Sequence, residues 1–196
     1  EPHRDAEGRI ICRELEKKPP QIAPELTVKA AQFRIWHSKT GGCAYLSQLE
    51  LQPLLDRALR RARLPMSFSQ GFHPLPLMSF GRALPVGVES RAEWFAITLR
   101  EPLEAAEVAR RLREVLPPGM DILYVENVDG SRRTEQSVRE TFQLRVDGVD
   151  GATLAAAFAR FTAEDEHPLT RETKKGMRTV DIRPLLAQWS QVDDAV

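Results

Sequence analysis

The sequence predicts an α+β fold, with a ferredoxin-like split βαβ unit followed by a second, partial ferredoxin-like unit. Two observations carry this expectation. Period-2 alternation of apolar and polar residues, clearest at residues 31–36 and 93–100, marks half-buried strands. Between and after them lie stretches whose apolar residues recur every three or four positions, as amphipathic helices require. From Lys29 to Val128 the order reads strand, helix, strand, strand, helix, strand.

Residues 1–27 mix charge with Pro19, Pro20 and Pro24 without a sustained period and read as a tail or linker. The first residue is Glu1 rather than Met, which suggests a processed chain or a piece of a longer polypeptide. A core over 28–128 opens with a strand in which Ala31, Phe33 and Ile35 alternate with Gln32, Arg34 and Trp36, and Gly41-Gly42 ends it. Ser47 with Glu50 three residues later makes a capping box, so a helix follows. Leu51, Leu54, Leu55, Ala58 and Ala62 share its apolar face; Arg57, Arg60 and Arg63 lie opposite, and Pro65 stops it. Leu77–Phe80 is a short strand candidate. In the next, Phe95, Ile97 and Leu99 share one face and Trp94, Ala96 and Thr98 the other. Pro102 is expected to start a second helix with Val108, Ala109, Leu112, Val115 and Leu116 inside and Glu107 paired to Arg111 outside. Pro117-Pro118-Gly119 terminates it, and 122–128 supplies another strand.

Residues 129–137 read as a linker, and 138–196 as the second, partial α+β unit. Phe142, Leu144 and Val146 alternate with Thr141, Gln143 and Arg145 as a strand; Leu154, Phe158 and Phe161 mark one face of an Ala-rich helix. A hairpin is expected with strands 169–174 and 177–182 flanking Lys175-Gly176, and a final helix beyond Pro184 carrying Leu185, Leu186 and Trp189.

At 196 residues, with 42% apolar and 29% charged residues, the chain has the composition of an ordinary globular protein. Its formal net charge is zero, so a polyanionic partner can be argued only from local clustering of Arg and Lys. No apolar run approaches the roughly 20 residues that span a bilayer, and the N-terminus lacks a signal-peptide core. No membrane association and a cytoplasmic setting are therefore expected. Cys12 and Cys43 form no Cys-x-x-Cys pair, which removes support for zinc-ribbon, iron–sulfur and thioredoxin-like readings. His3, His37, His73 and His167 show no metal-ligand spacing, and hydrolase and P-loop motifs are absent, so neither metal nor cofactor is expected.

Two Gly/Pro runs flank the second strand. One holds Ser69, Gln70, Gly71, Phe72, His73 and Pro74; the other holds Gly87, Glu89 and Ser90. Gly and Pro mixed with uncharged hydrogen-bonding and large apolar residues suit a backbone held in one shape beside a ligand, although turn geometry alone accounts for the same composition. His73 could move a proton, and Glu89 with Glu93 could divide acid and base roles; a turn histidine and solvated carboxylates are the commoner uses. Two basic groups complete the inventory: Arg57, Arg60, Arg61 and Arg63 on the first helix, and Arg171, Lys174, Lys175, Arg178 and Arg183 on the hairpin. Such clusters grip phosphates, and Phe68, Phe72 and Phe80 could offer stacking surfaces, whereas a solvated helix face and core phenylalanines explain the same residues.

The stretch from Phe33 to Val128 resembles the radical SAM-linked protein family, the DUF2344 domain of unknown function. The resemblance rests on Phe33 and Lys39, on Leu46-Ser47-Gln48-Leu49-Glu50, and on Arg57-Ala58-Leu59-Arg60-Arg61-Ala62 through Leu64-Pro65. It continues through Ser69-Gln70-Gly71-Phe72 with Pro74 and Pro76, and Leu84-Pro85-Val86-Gly87 with Glu89, Ser90 and Glu93. Thr173-Lys174-Lys175-Gly176 and Val180-Asp181-Ile182-Arg183-Pro184 are similar to the family as well. The chain has Gln48 and Glu50 where the family often has His and Asp, and His73 and Leu75 where it often has Asn and His, which weakens a metal-binding role for that loop. The resemblance implies a helper of a radical SAM protein, fused or separate. The three cysteines of a radical SAM cluster are absent, so the chain is not expected to generate the radical.

The expected function is that of an accessory domain without catalysis of its own, binding a macromolecular substrate, RNA, for a radical SAM enzyme. The basic groups would hold phosphates and the two Gly/Pro runs would form a recognition pocket. A protein-interaction module that docks on the radical SAM partner without nucleic acid is the alternative, and an acid–base enzyme using His73 with Glu89 or Glu93 is the weaker one.

Overall fold

The computed structural model describes residues 6–8, 22–128 and 139–192. The 129–137 linker, Cys12, His3 and most of the expected tail lie outside these. The chain divides into two compact units with the boundary between Ser137 and Val138.

The first unit is a four-stranded antiparallel sheet with two helices. In chain order it comprises β1 (Ala31–Lys39), α1 (Gln48–Arg61), β2 (Met78–Phe80), β3 (Ser90–Leu99), α2 (Ala105–Arg113) and β4 (Ile122–Asn127). The strands lie in the order β2-β3-β1-β4, so each helix connects two strands that are not neighbours. Phe33 and Ile35 of β1 face Ile97 and Phe95 of β3 in register and point toward the helices. Leu51, Leu55 and Leu59 of α1 and Val108 and Leu112 of α2 close over them, and all nine side chains are buried. That burial is the main stabilising term, at roughly 25 cal/mol per Å² of apolar surface removed from water. Between Trp36 and His37 the pairing with β4 skips Leu123, which leaves a bulge in that edge strand.

Helix α1 begins as the capping box requires: the Glu50 carboxylate accepts from the Ser47 N–H at 2.9 Å and from its hydroxyl at 2.6 Å. These bonds hold the Glu50 carboxyl below its ordinary range. Pro53 is tolerated inside the helix, and the helix ends at Arg61, before Pro65, because Arg63 takes a left-handed φ of 51°. Helix α2 starts at Ala105, three residues beyond the expected Pro102, with Glu104 at its N-cap. The end of the expected tail is tied down: Pro24–Thr27 form a 3-10 turn, and the Leu26 carbonyl accepts from the Phe68 N–H at 2.9 Å.

The second unit contains α3 (Gly151–Ala163) and the hairpin β5 (Pro168–Thr173) and β6 (Gly176–Asp181). Asp150 caps α3, its carboxylate accepting from the Thr153 N–H at 2.9 Å. Phe158 stacks on Trp189 at 4.8 Å between ring centroids, and Phe161 meets His167 at 4.9 Å. Two expectations are corrected. Residues 141–146 form no strand: Phe142 and Leu144 are exposed, and no neighbouring strand takes up their backbone groups among the described residues. Around Pro184 the described residues form a 3-10 turn, Arg183–Leu185, and no helix follows it as far as residue 192. The hairpin is shifted one residue from its expected position. Lys174-Lys175 make the turn, and Gly176, at φ 104°, opens the return strand opposite Thr173.

Candidate functional site

The two Gly/Pro runs meet β3 at different points. Ser67 donates its N–H to the Thr98 carbonyl and Leu77 accepts from the Thr98 N–H, so the Ser69–Pro76 loop is rooted at the end of β3. Ser90, which closes the other run, begins β3 and pairs with Lys39. The roots are separated along β3 by about 26 Å at the usual strand rise. The pocket expected from Gln70–Pro76 with Gly87–Ser90 would thus draw on loops rooted at the two ends of β3.

Each loop is well held. In the first, Ser69 donates its N–H to the Leu75 carbonyl at 2.9 Å and its hydroxyl accepts from the Leu75 N–H at 3.1 Å. Gly71 takes a φ of 136°, and Gln70, Phe72, His73 and Pro74 face solvent. The Ser67 hydroxyl at its root is fully buried with no partner. In the second, Gly87 donates its N–H to the Ala44 carbonyl at 2.9 Å, and Glu89 accepts from the Gly41 N–H at 2.7 Å. This loop is thereby fastened to the 3-10 turn Gly41–Tyr45 after β1.

That end of β1 buries polar chemistry the sequence pattern did not single out. His37 and Lys39 are 1% and 2% exposed, and Cys43 is buried beside them. Burial pushes the His37 imidazole down and the Cys43 thiol up; the Lys39 charge adds to the first effect and opposes the second. The His37 Nδ1 hydrogen-bonds the Ser38 carbonyl at 3.0 Å, and the Cys43 thiol donates to the Pro118 carbonyl at 3.4 Å. Their solvent access is closed, so they serve the interior here. Among the described residues no group of three or more His, Cys, Asp or Glu is placed to hold a metal ion.

The basic groups differ in availability. On α1, Arg60 is engaged by Asp56 at 2.9 Å, whereas Arg57 and Arg61, and Arg63 just beyond the helix rather than on it, are exposed with no carboxylate paired to them among the described residues. Arg61 and Arg63 border a shallow groove of about 410 Å³ with Arg110, Arg111 and Glu114 of α2. Its α2 side is neutralised, while Arg61 and Arg63 stay unpaired among the described residues. Arg110 bridges Glu107 and Glu114, and Arg111 bonds Glu107 at 2.6 Å; together they push the Glu107 carboxyl down to about 2.

The hairpin is different. Arg171 and Arg178 stand directly opposite each other across β5 and β6, and Lys174 and Lys175 occupy the turn between them. All four are exposed, and no carboxylate pairs with any of them among the described residues. Like charges directly opposite in a ladder oppose its formation. A hollow of about 520 Å³ lies at this tip, lined by Thr173, Lys174, Lys175, Gly176, Met177 and Arg178. Arg183, grouped with these residues by sequence, is used structurally: its guanidinium donates to the Thr162 carbonyl at 3.0 Å and the Glu164 carbonyl at 3.1 Å at the end of α3.

Fold and surface thus define a mixed α+β protein with a four-stranded antiparallel sheet, a small two-stranded sheet and an uncompensated cationic hairpin. The chain belongs to the DUF2344 family: the family model described as "Uncharacterized protein conserved in bacteria (DUF2344)" matches residues 32–195. No curated protein matches it. No helix of the described residues is long and apolar enough to cross a membrane.

Proposed function

We propose that this protein is an accessory module that binds RNA through its cationic hairpin and presents it to a radical SAM partner. The observation that carries the RNA part is the Arg171–Arg178 register with Lys174 and Lys175 at the turn. Four exposed cations held without counter-charges suit contact with successive phosphates, and the repulsion they impose on the ladder is relieved by a polyanion. Arg57, Arg61 and Arg63 add a second cationic surface on the first unit. The radical SAM partner rests on the sequence resemblance. The first unit is read as ferredoxin-like on its strand order, β2-β3-β1-β4, with a helix in each crossover. The test is mobility shift with total RNA against a charge-matched control protein, repeated with Arg171→Ala, Lys174→Ala, Lys175→Ala and Arg178→Ala combined. Binding above the control that the combined variant abolishes is the expected result; binding no stronger than the control overturns the reading.

A second reading is favoured by the first loop, where Phe72 is 52% and Leu75 60% exposed on a backbone closed by Ser69. Two exposed apolar side chains on a fixed loop suit docking to a protein partner without nucleic acid. Pull-down of the radical SAM partner by the wild type, lost with Gly71→Val or Phe72→Ala and kept with Arg57→Ala plus Arg60→Ala, would select this reading.

A further inference from the structure

Helices α1 and α2 pack on one face of the four-stranded sheet. On the other, Trp94 of β3, Trp36 of β1 and Tyr124 of β4 stand opposite one another in register and form a single row across three adjacent strands. Directly opposed residues have Cβ atoms about 5 Å apart, so the row is continuous. Tyr124, on the edge strand, is 59% exposed; the two indoles are half-buried. Gly81 of the chain after β2 lies beside Trp94, and a Cβ there would meet the indole nitrogen at 2.9 Å, so the missing side chain lets the ring lie over the strand. The Arg34 guanidinium stacks 5.3 Å from the Trp94 ring centroid, adding a cationic plane to the row. Beyond it the Gln32 amide bonds the Thr98 hydroxyl at 3.5 Å, and Ser79 pairs with Ala96.

We infer that this row is a stacking platform for the unpaired bases of single-stranded RNA. This face offers aromatic and guanidinium planes with amide and hydroxyl groups next to them. Nucleobases use both, stacking on rings and hydrogen-bonding at their edges. On the face itself Arg34 lies 3.9 Å from Glu126, and Arg82, which follows Gly81, adds an exposed cation that a phosphodiester chain could meet. Three planes give room for two or three bases. The inference deepens the RNA reading and rests on it for the ligand class, but it concerns a different unit from the hairpin.

The test titrates the full chain with a 12-nucleotide single-stranded RNA and with a duplex of the same length, following tryptophan emission and fluorescence anisotropy. The single strand is expected to quench the emission. Tyr124→Ala, and separately Trp36→Phe with Tyr124→Ala, are expected to weaken the single strand about tenfold or more while leaving the duplex unchanged. Circular dichroism establishes that these variants fold. Unchanged single-strand affinity in both folded variants overturns the platform, as does an equal loss for both RNAs. Loss of duplex binding in the combined hairpin variant beside an unaffected Tyr124→Ala protein keeps the hairpin reading and discards this one. Single-strand quenching that survives the hairpin variant does the reverse. A face that takes a proline-rich peptide or a second copy of the chain, and no RNA, also overturns the platform.

Discussion

Reversing one charge in the hairpin should move stability and affinity in opposite directions. Arg178 faces Arg171 across β5 and β6, so Arg178→Glu replaces a like-charge pair by an opposite-charge pair. Both side chains are exposed and screened by solvent, which limits the gain to about 1 kcal/mol. Amide exchange across the hairpin should therefore slow by up to about fivefold where it reports local opening. RNA binding should suffer. If each of the four cations neutralises one phosphate of a single strand, log K falls with log salt at a slope of about −2.8, a loss of about 50-fold between 50 and 200 mM salt. Removing one contact makes the slope about −2.1 and the loss about 20-fold over the same range. The assay pairs exchange measured by NMR with a salt series of anisotropy titrations. A hairpin that exchanges faster in Arg178→Glu would refute the argument that the register is electrostatically opposed, and an unchanged salt slope would refute its use as a phosphate contact.

Gly119→Ala should lower the melting temperature of the first unit by about 10 °C or more, because a left-handed φ of 92° and a backbone clash with the Thr40 carbonyl act together. Gly71→Ala, with φ 136° and open space around its Cβ position, should cost only the strain, about 1–2 kcal/mol, and a calorimetric comparison separates the two terms. Ser67→Ala should be neutral or stabilising in urea unfolding, since it removes a buried hydroxyl that has no partner. Stability should fall as pH drops below about 6.5: the unfolded His37 takes up a proton there, while burial holds the folded imidazole below that value, so proton uptake favours unfolding. His37→Gln should flatten the unfolding free energy between pH 7 and 5; an unchanged slope would assign the effect elsewhere. Glu107 titrates in the same direction at lower pH, its contribution being present above the ordinary carboxylate range and lost as pH falls toward about 2.

The parts of the fold legible in the sequence are those set by neighbours along the chain. Alternation placed Phe33 and Ile35 on the core face of β1, and the Ser47–Glu50 pair marked the start of α1, because both signals are complete within a few residues. The pattern at Phe142, Leu144 and Val146 was just as regular, yet a strand also needs a partner to pair its backbone, and alternation cannot report one. The site shows the same limit. Trp36 and Trp94 could each be assigned to the polar-side face of a strand, but their alignment with Tyr124 exists only once register is known. The two Gly/Pro runs, close in sequence, are rooted at opposite ends of β3, which also follows only from the register. Lys39 was invisible as a buried residue because its charge argues for the surface.

The bulge at Leu123 has a consequence for how this protein meets others. β4 is one edge of the sheet and carries that irregularity; the other edge, β2, is only three residues long, Met78–Phe80. Short or bulged borders offer a poor template for an incoming extended segment, which guards against sheet-to-sheet aggregation and against partners that bind by adding a strand. Any partner of the first unit would accordingly be met by its loops and faces, where single side chains set affinity and point mutations can dissect it.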